Sequence, residues 1–276
     1  MPNSVIWGMK KSLLPLFCFL LAMQLMGCSA GKVAVVERPL VIAHRGGASL
    51  GPENSLMAIE SAITLGVDAV EVDVRLSADG HVVVMHDKSV NRTTDGKGRV
   101  DGLSLAQLKG LLLLDAAGNK TDERIPTLDE VFGLVAGRCR VLIEIKDNDS
   151  RGIESAVVDA VARNSAWDWV AVHSFSDKVL ERFNLLGVPF PLEKLFVFKL
   201  PLVPYIFDGT LRRLSLDKYD YVSSFNVHKC FARDGLVVRL HNAGKGVKLW
   251  TFGKDDASRP VNVDGVIVDS PQLWLP

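Results

Sequence analysis

Two neighbouring stretches show the period-two pattern of β-strands. Residues 69–76 alternate strictly, with valines on one face and Glu71, Asp73 and Arg75 on the other. Asp79-Gly80 follows, a dipeptide typical of a two-residue hairpin turn, and residues 82–86 return as a second strand. If Asp79 and Gly80 are the two loop residues, Asp73 lies opposite His86 on one face. The pattern therefore predicts two carboxylates and an imidazole close together.

A third strand ends in polar residues of the same kind. Residues 141–145 are mostly apolar, as in a buried parallel strand, and Glu144 and Lys146 lie on one side of its end. An isolated Glu-x-Asp strand would more simply be a hairpin with its polar face in water, but barrel enzymes carry their chemistry at the carboxyl ends of buried strands. Glu71, Asp73 and Glu144 form an all-oxygen ligand set suited to Mg²⁺ or Ca²⁺ rather than Zn²⁺. The sequence does not separate those two ions.

Strands and helices alternate along the rest of the chain, which predicts a parallel sheet. The 249 residues that follow the first 27 match the size of one α/β (β/α)8 TIM barrel. Nine strands are predicted for eight positions, so one arm of the hairpin is expected to be an irregular excursion at the barrel mouth. The predicted strands are 40–44, 69–76, 82–86, 141–146, 169–173, 195–198, 221–225, 247–251 and 263–268, and the predicted helices are 55–65, 127–135, 151–162, 177–186 and 232–243.

The N-terminal residues are predicted to be a targeting segment outside the fold. Two lysines precede an apolar stretch, and Leu25-Met26-Gly27-Cys28 resembles a bacterial lipoprotein box, which implies cleavage before Cys28 and lipidation of its sulfur. An ordinary cleaved signal and an uncleaved anchor stay open, although the stretch is short for a membrane span, and translation could start at Met1 or Met9. The predicted division is a signal peptide (1–27), a tether (28–39) and one barrel domain (40–276).

Charge and cysteine content narrow the class of protein further. Without the two lysines of the targeting segment the chain has 30 basic and 32 acidic residues, a net charge of −2. The sequence has no basic patch that would favour binding of nucleic acid, and no protein partner is predicted. Ser29 after the lipidated cysteine favours the outer membrane of a two-membraned cell, with the domain facing the periplasm or the exterior. Cys139 and Cys230 could pair in an oxidising compartment, but two cysteines define no framework, and we interpret them as separate buried thiols.

Four motifs between residues 44 and 87 carry the clearest signal in the chain. They are His44-Arg45-Gly46, Pro52-Glu53-Asn54-Ser55, Glu71-Val72-Asp73 and His86-Asp87, each at a predicted strand end or tight turn. In this order they resemble the N-terminal signature of the glycerophosphodiester phosphodiesterase family. The resemblance continues less specifically through residues 142–146 to about residue 273. Ser55 departs from the family, which more often has threonine there.

The resemblance implies an enzyme that hydrolyses glycerophosphodiesters to glycerol 3-phosphate and an alcohol, through attack by a neighbouring glycerol hydroxyl and a cyclic phosphate. A divalent cation and an arginine would neutralise the phosphoryl oxygens, and two imidazoles would exchange protons near neutral pH. The implied roles are acid–base catalysis for His44 and His86, metal binding for Glu71, Asp73 and Glu144, phosphate contact for Arg45 and Lys146, support of the substrate site for Glu53, and pocket lining for Trp250.

The remaining histidines receive other interpretations. His81 lies on the opposite pleat face from His86 and is expected to be a solvated loop residue. His173 and His241 lack neighbouring motif residues and are interpreted as structural, whereas His228 follows a strand on the active face and is left open. Arg92 is interpreted as a loop charge rather than a ligand.

Two alternatives to this function stay open at this point. A phosphodiesterase of lysophospholipids or of cell-wall polymers would use the same core with different pocket loops. A non-catalytic surface lipoprotein that binds a partner would predict gaps in the catalytic set, and the sequence has none.

Overall fold

The structure, a computed structural model, describes residues 38–146, 152–197, 216–256 and 259–276. Within these ranges the chain forms eleven strands and six α-helices. The predicted signal peptide, Cys28 and most of the tether lie outside these ranges. The strands are β1 Leu40–Ala43, β2 Ala69–Leu76, β3 Val82–Val84, β4 Leu112–Leu114, β5 Lys120–Arg124, β6 Arg140–Ile145, β7 Val170–Ser174, β8 Leu192–Phe196, β9 Ser224–His228, β10 Gly246–Phe252 and β11 Gly265–Val268. The helices are α1 Leu56–Leu65, α2 Leu105–Lys109, α3 Leu128–Val135, α4 Ile153–Arg163, α5 Asp177–Leu185 and α6 Asp234–Asn242.

Eight of the strands close into a parallel barrel, because β1 has a partner on both sides. β1 pairs with β11 and with β2, and the ring continues through β6, β7, β8, β9 and β10, each step parallel. The predicted (β/α)8 TIM barrel is confirmed. The extra ninth strand is β3, which pairs antiparallel with β2, while β4 and β5 form a separate hairpin.

Most predicted elements lie within two residues of the observed ones, and two strands are displaced. β8 begins at residue 192, three residues before the predicted 195, and β9 begins at residue 224, three residues after the predicted 221. Residues 151 and 198 of the predictions lie outside the described ranges. Four of the described helices follow a polar N-cap, where a side chain satisfies a free backbone N–H: Ser55 accepts from Ala58 N, and Ser104, Thr127 and Ser176 cap α2, α3 and α5. The hydroxyl of Ser55 caps α1 as a threonine hydroxyl would.

The core lies on two sides of the barrel wall. Outward-facing valines of β2 pack with Phe132 and other helix residues, all nearly inaccessible to solvent. Inside the barrel, Ile42, Ala69, Leu142 and Ile267 form a smaller apolar cluster. Since side chains on one face recur every second residue, Ala69 and Leu142 lie on the same faces as the acids that follow them in β2 and β6. Of the helices that the structure describes, none combines the length and apolar character needed to cross a bilayer.

The β2–β3 hairpin differs from the predicted register by one residue. Val74 pairs with Val84, and the backbone N of Ser77 donates to the carbonyl of His81 (2.9 Å). The loop therefore has three residues, 78–80, with Gly80 in the left-handed region at φ 83°. Ser77 Oγ donates to the Asp79 carboxylate inside this loop (2.6 Å), a local contact that the dipeptide rule does not include.

This register changes the partner of Asp73. The residue opposite it is Met85, whose backbone N donates to the Asp73 carbonyl (2.8 Å), so the predicted pairing of Asp73 with His86 is wrong. β3 ends at Val84, and the buried Arg75 guanidinium donates from Nε (3.0 Å) and Nη2 (2.7 Å) to the His86 carbonyl. Arg75 thus fixes the chain where it leaves the sheet, and His86 is placed by this turn rather than by the ladder.

Candidate active site

Two histidines, each paired with an aspartate, lie at the carboxyl ends of the strands. His44 follows β1, and its Nδ1 lies 2.6 Å from Oδ1 of Asp269, which follows β11. His86 Nδ1 lies 2.7 Å from Asp87 Oδ1. A carboxylate holds the hydrogen of the imidazole on Nδ1, which leaves the lone pair of Nε2 for a reacting group. Both rings are therefore oriented and have the tautomer needed to accept a proton.

The environments of the two histidines shift their pKa values in opposite directions. Burial lowers the pKa of His44, but the hydrogen bond to Asp269 and the charge of Glu71 outweigh burial and raise it above its ordinary value. Burial lowers the pKa of His86, and the hydrogen bond to Asp87 does not fully offset it. A pair of titratable groups with separated pKa values is the arrangement that divides acid and base roles.

Three carboxylates are buried between these histidines. The β2–β6 register places Asp73 beside Glu144, and Glu71 lies one pleat earlier; their exposed fractions are 0%, 7% and 1%, respectively. Lys146 Nζ lies 2.8 Å from Glu144 Oε1 and 3.4 Å from Asp73 Oδ1. Burial raises the pKa of Glu144, Lys146 opposes this, and Asp73 and Glu71 add to it. Lys146 is thus shared between Asp73 and Glu144, and Arg45 Nε lies 3.8 Å from the other oxygen of Asp73.

Several buried atoms of this cluster fit a cation. Within the described residues, Glu71 Oε1, Asp73 Oδ1 and His173 Nε2 have no hydrogen-bond partner, and an unsatisfied buried polar atom costs about 1–3 kcal/mol. Glu71, Glu144 and His173 each offer one atom within 4.8 Å of the others. Carboxylate oxygens are the ligands preferred by hard divalent cations. The donor set present thus fits a divalent ion, and Asp73 borders the same group.

The backbone at Arg45 is bent to reach these acids. Arg45 adopts a left-handed φ of 50°, which is uncommon outside glycine and is found at functional sites. Its backbone N donates to Glu71 Oε2 (2.8 Å). Gly46 follows at φ 75°, where a Cβ would lie 2.7 Å from Ile59 Cγ1, so a larger residue would not fit. The His44-Arg45-Gly46 motif therefore brings the backbone close enough to Glu71 to orient its carboxylate.

Asn54 is a site residue for which the sequence analysis predicts no role. Its Nδ2 donates to Asp73 Oδ2 (2.9 Å), and its Oδ1 accepts from the Asp73 backbone N (3.2 Å). Asn54 also stands at a left-handed φ of 60°, a conformation that asparagine tolerates better than most residues. Its membership of the Pro-Glu-Asn-Ser motif was the signal that could have identified it.

Arg92 links two loops and is more than the loop charge expected. Its guanidinium forms one fork to Asp87 (2.7 and 3.0 Å) and a second to Glu53 (both 2.8 Å). Glu53 in turn accepts twice from Arg45 Nη1 (3.1 Å each). Glu53 thus contacts the site through Arg45, and Arg92 holds the aspartate that orients His86.

A cavity of about 110 Å³ lies above the cluster. Both histidines, Arg45 and Lys146 line its polar side, and Phe175, Leu195 and Trp250 line its apolar side. The Phe175 and Trp250 rings meet edge to face with centroids 5.5 Å apart, and Trp250 Nε1 donates to the carbonyl of Asn226 (2.8 Å). The structure thus brings the predicted strand-end residues together around one small pocket with a charged side and an aromatic side.

The other histidines and the cysteines agree only in part with the environments predicted for them. His173, which was interpreted as structural, lines the cavity. His81 has a side chain 53% exposed at the hairpin turn, as expected. His228 packs edge-on against Trp250, with centroids 4.9 Å apart. Cys139 and Cys230 are separate thiols, but Cys230 is exposed rather than buried.

The fold and the site together define a barrel enzyme with a pocket of paired histidines and buried carboxylates at the carboxyl ends of its strands. The model of the glycerophosphoryl diester phosphodiesterase family matches residues 44–273, and the chain belongs to this family. It is a phosphodiesterase that hydrolyses glycerophosphodiesters. The alternative of a non-catalytic binding protein is thereby set aside.

Individual relatives agree with this membership. The chain is similar to the glycerophosphodiester phosphodiesterase of Caldanaerobacter subterraneus subsp. tengcongensis, with 34% identity over 86% of this chain and 97% of the relative. A phosphodiesterase of Oleispira antarctica, solved in complex with the product sn-glycerol-3-phosphate, has a TM-score of 0.69 at 28% identity and covers 86% of this chain and 95% of its own. The glycerophosphodiester phosphodiesterase of Agrobacterium tumefaciens shares the fold, with a TM-score of 0.69 at 23% identity, 86% of this chain and 98% of that one.

The double fork of Arg92 generates a prediction. Arg92→Lys should lower kcat about tenfold, about 1.4 kcal/mol, because an ammonium cannot form both forks and Asp87 then holds His86 less firmly. Steady-state kinetics on glycerophosphodiesters measures the loss. Arg163→Lys is the matched control, since Arg163 makes a similar exposed fork to Asp129 on the outer helices. Equal kcat in Arg92→Lys and the wild type would show that the link does not position His86.

Proposed function

We propose that hydrolysis depends on a divalent cation and uses His44 and His86 as the acid–base pair, releasing glycerol 3-phosphate and an alcohol. The observation that carries this is the position of the two histidine–aspartate pairs beside buried carboxylate oxygens of Glu71 and Asp73 that have no hydrogen-bond partner among the described residues. Glu71, Glu144 and Asp73 would hold Mg²⁺ or Ca²⁺. When bound, the ion would supply positive charge to the phosphoryl oxygens.

The residues of the chain divide the proton transfers. His86, whose pKa is lowered, removes the proton from the glycerol hydroxyl next to the phosphodiester, and that oxygen attacks phosphorus. The bond from phosphorus to the alcohol breaks, and His44, whose pKa is raised, gives its proton to the departing oxygen. Water then opens the cyclic phosphate with the two roles reversed. Arg45 and Lys146 are the fixed positive charges beside the phosphate, and Trp250 with Phe175 contacts the apolar face of glycerol.

Metal dependence is the first consequence of this proposal. Chelation should abolish turnover, and added Mg²⁺ or Ca²⁺ should restore it, because the carboxylates cannot neutralise a phosphate without a cation. Glu144→Gln should weaken metal binding measured by calorimetry. Glu60→Gln is the control and should not weaken it, because Glu60 forms an exposed ion pair with Arg138 on the surface. Full turnover in excess chelator would contradict the proposed ligand set.

The histidine assignment predicts large and separate losses. His44→Ala or His86→Ala should each lower kcat by ~10²-fold or more, roughly 2.7 kcal/mol of transition-state stabilisation. Both variants should still fold and bind the cation, since neither ring is assigned as a ligand. His81→Ala should match the wild type, because its ring is exposed at the hairpin turn. A silent His86→Ala variant would exclude His86 from proton transfer.

The opposite pKa shifts predict a bell-shaped dependence of kcat/KM on pH. The rate should fall at low pH as His86, with its pKa below the ordinary 6.5, becomes protonated, and at high pH as His44, with its pKa above 6.5, loses its proton. Asp269→Asn removes the contact that raises the His44 pKa, so the alkaline limb should move to lower pH. An unchanged alkaline limb in Asp269→Asn would exclude His44 as the group that controls it.

We also propose that the enzyme is a lipoprotein held at the membrane through Cys28, with the barrel facing the periplasm or the exterior. The support is the Leu25-Met26-Gly27-Cys28 box that follows a basic and apolar segment. One acyl chain gives only marginal membrane binding, and stable attachment needs more than one. A tether of about 12 residues, up to 3.3–3.6 Å each, would let the barrel reach substrate near the surface.

This proposal predicts the outcome of labelling in cells. The wild type should incorporate a labelled fatty acid and sediment with membranes, and Cys28→Ser should lose the label and the sedimentation. Cys230→Ser is the control for acylation of an exposed thiol and should retain the label. A wild type without label would exclude the anchor and leave the catalytic proposal untouched.

A further inference from the structure

His173 occupies a position that fits two different roles. Its Nε2 lies 3.5 Å from Glu71 Oε1, and within the described residues neither atom has a hydrogen-bond partner. Two ligands of one cation can be this far apart, and so can a donor and an acceptor that face the same space. The two roles require opposite tautomers, because a metal ligand needs the Nε2 lone pair and a donor needs the Nε2 hydrogen. The partner of Nδ1 distinguishes them.

That partner is the side-chain amide of Asn226. Asn226 Nδ2 lies 3.1 Å from His173 Nδ1 and donates to Glu193 Oε2 (2.8 Å). The other oxygen of Glu193 accepts from Lys248. A carboxylate paired with an ammonium only accepts hydrogen bonds, so the amide nitrogen of Asn226, and not its oxygen, must face Glu193. Ser224 Oγ, a donor, lies 3.4 Å from Asn226 Oδ1 and agrees with this orientation.

The orientation of the amide fixes the hydrogen of the imidazole. The same Asn226 nitrogen faces both Glu193 and His173, so Nδ1 of His173 must accept and cannot carry a hydrogen. The hydrogen is then on Nε2, which points at Glu71. Histidines that bind metals through Nε2 have the reverse arrangement, with Nδ1–H donating to a carboxylate, a carbonyl or water. His44 and His86 show that reverse arrangement here, and His173 does not.

We propose that His173 is a positioning residue whose Nε2–H points at Glu71 beside the cation site. The series of hydrogen bonds through Asn226, Glu193 and Lys248 keeps the hydrogen on Nε2, so this nitrogen does not bind the cation. The selectivity part of this inference rests on the proposed cation site, and the tautomer part does not. With the lone pair of His173 excluded, the other two members of the ligand group among the described residues, Glu71 and Glu144, offer carboxylate oxygens. Such a site favours Mg²⁺ and Ca²⁺ over Zn²⁺, Ni²⁺ and Co²⁺, which imidazole nitrogen suits. His173 is thus a specificity determinant for the metal.

The tautomer can be read directly in the wild-type protein. Nitrogen-15 NMR of histidine-labelled protein, with His173→Gln to assign the signals, should show hydrogen on Nε2 and none on Nδ1. The pattern should persist when Mg²⁺ is added. A hydrogen on Nδ1, or loss of the Nε2 hydrogen on addition of Mg²⁺, would overturn the proposal.

An isosteric substitution tests the cause. In Glu193→Gln, Lys248 requires the glutamine oxygen, so the glutamine NH₂ faces Asn226 and turns the asparagine oxygen toward it. That oxygen accepts from His173 Nδ1–H, and the Nε2 lone pair then faces the cation site. NMR should show the tautomer reversed, and calorimetry should show the ratio of Zn²⁺ to Mg²⁺ affinity raised ~10-fold or more, within the usual effect of outer-shell partners.

The control and the contrary outcomes separate this inference from the proposed function. The double variant Glu193→Gln with His173→Gln should lose the gain in Zn²⁺ affinity, because the imidazole that provides it is gone. A reversed tautomer with an unchanged affinity ratio would overturn the selectivity role. Absence of any Mg²⁺ or Ca²⁺ binding by the wild type would overturn the cation site, and with it the selectivity role, while the NMR result still decides the tautomer.

Discussion

The constraint on which the site depends is the burial of three carboxylates on two adjacent strands. Removing charges from water is costly unless they are paired and hydrogen-bonded, and Glu71, Asp73 and Glu144 are all nearly inaccessible. Lys146 follows β6 because its ammonium must reach both Asp73 and Glu144. The backbone of Arg45 adopts a left-handed conformation at the point where its N–H donates to Glu71. The proposed binding of phosphate and the stability of the barrel mouth therefore depend on the same buried charges.

Charge pairs also connect the loops that carry the two histidines. Glu53 lies between Arg45 and Arg92, and Arg92 reaches Asp87, which contacts His86. The loops after β1 and β3 are thus tied through forks, which fix direction as well as distance. On the opposite side, His44 is held by Asp269 from the last strand. The two histidines of the proposed acid–base pair are thus positioned by residues from the first three strands and from the last strand, which closure of the barrel brings together.

How far the sequence predicts this site depends on the range of the interactions involved. Strand ends and helix caps are local, and for that reason the barrel and the residues around His44, Glu71 and Glu144 could be recognised. The hairpin register failed because a contact between Ser77 and Asp79 favours a three-residue loop over the two-residue turn. His173 could not be recognised, because its partners Asn226 and Glu193 lie on other strands. No spacing along the chain encodes a contact between strands whose register is unknown.

The polar side chains inside the barrel are better explained by function than by folding. Ile42, Ala69, Leu142 and Ile267 fill one side with apolar atoms, and the other side contains His173, Glu193, Asn226 and Lys248, three of them less than 5% exposed. A well-packed apolar replacement of a buried ion pair is often neutral or stabilising, so folding alone does not require Glu193 and Lys248. Their network ends at an imidazole nitrogen beside the carboxylate cluster. The free energy spent on burying these charges is therefore best accounted for by the orientation of one ring at the floor of the active site.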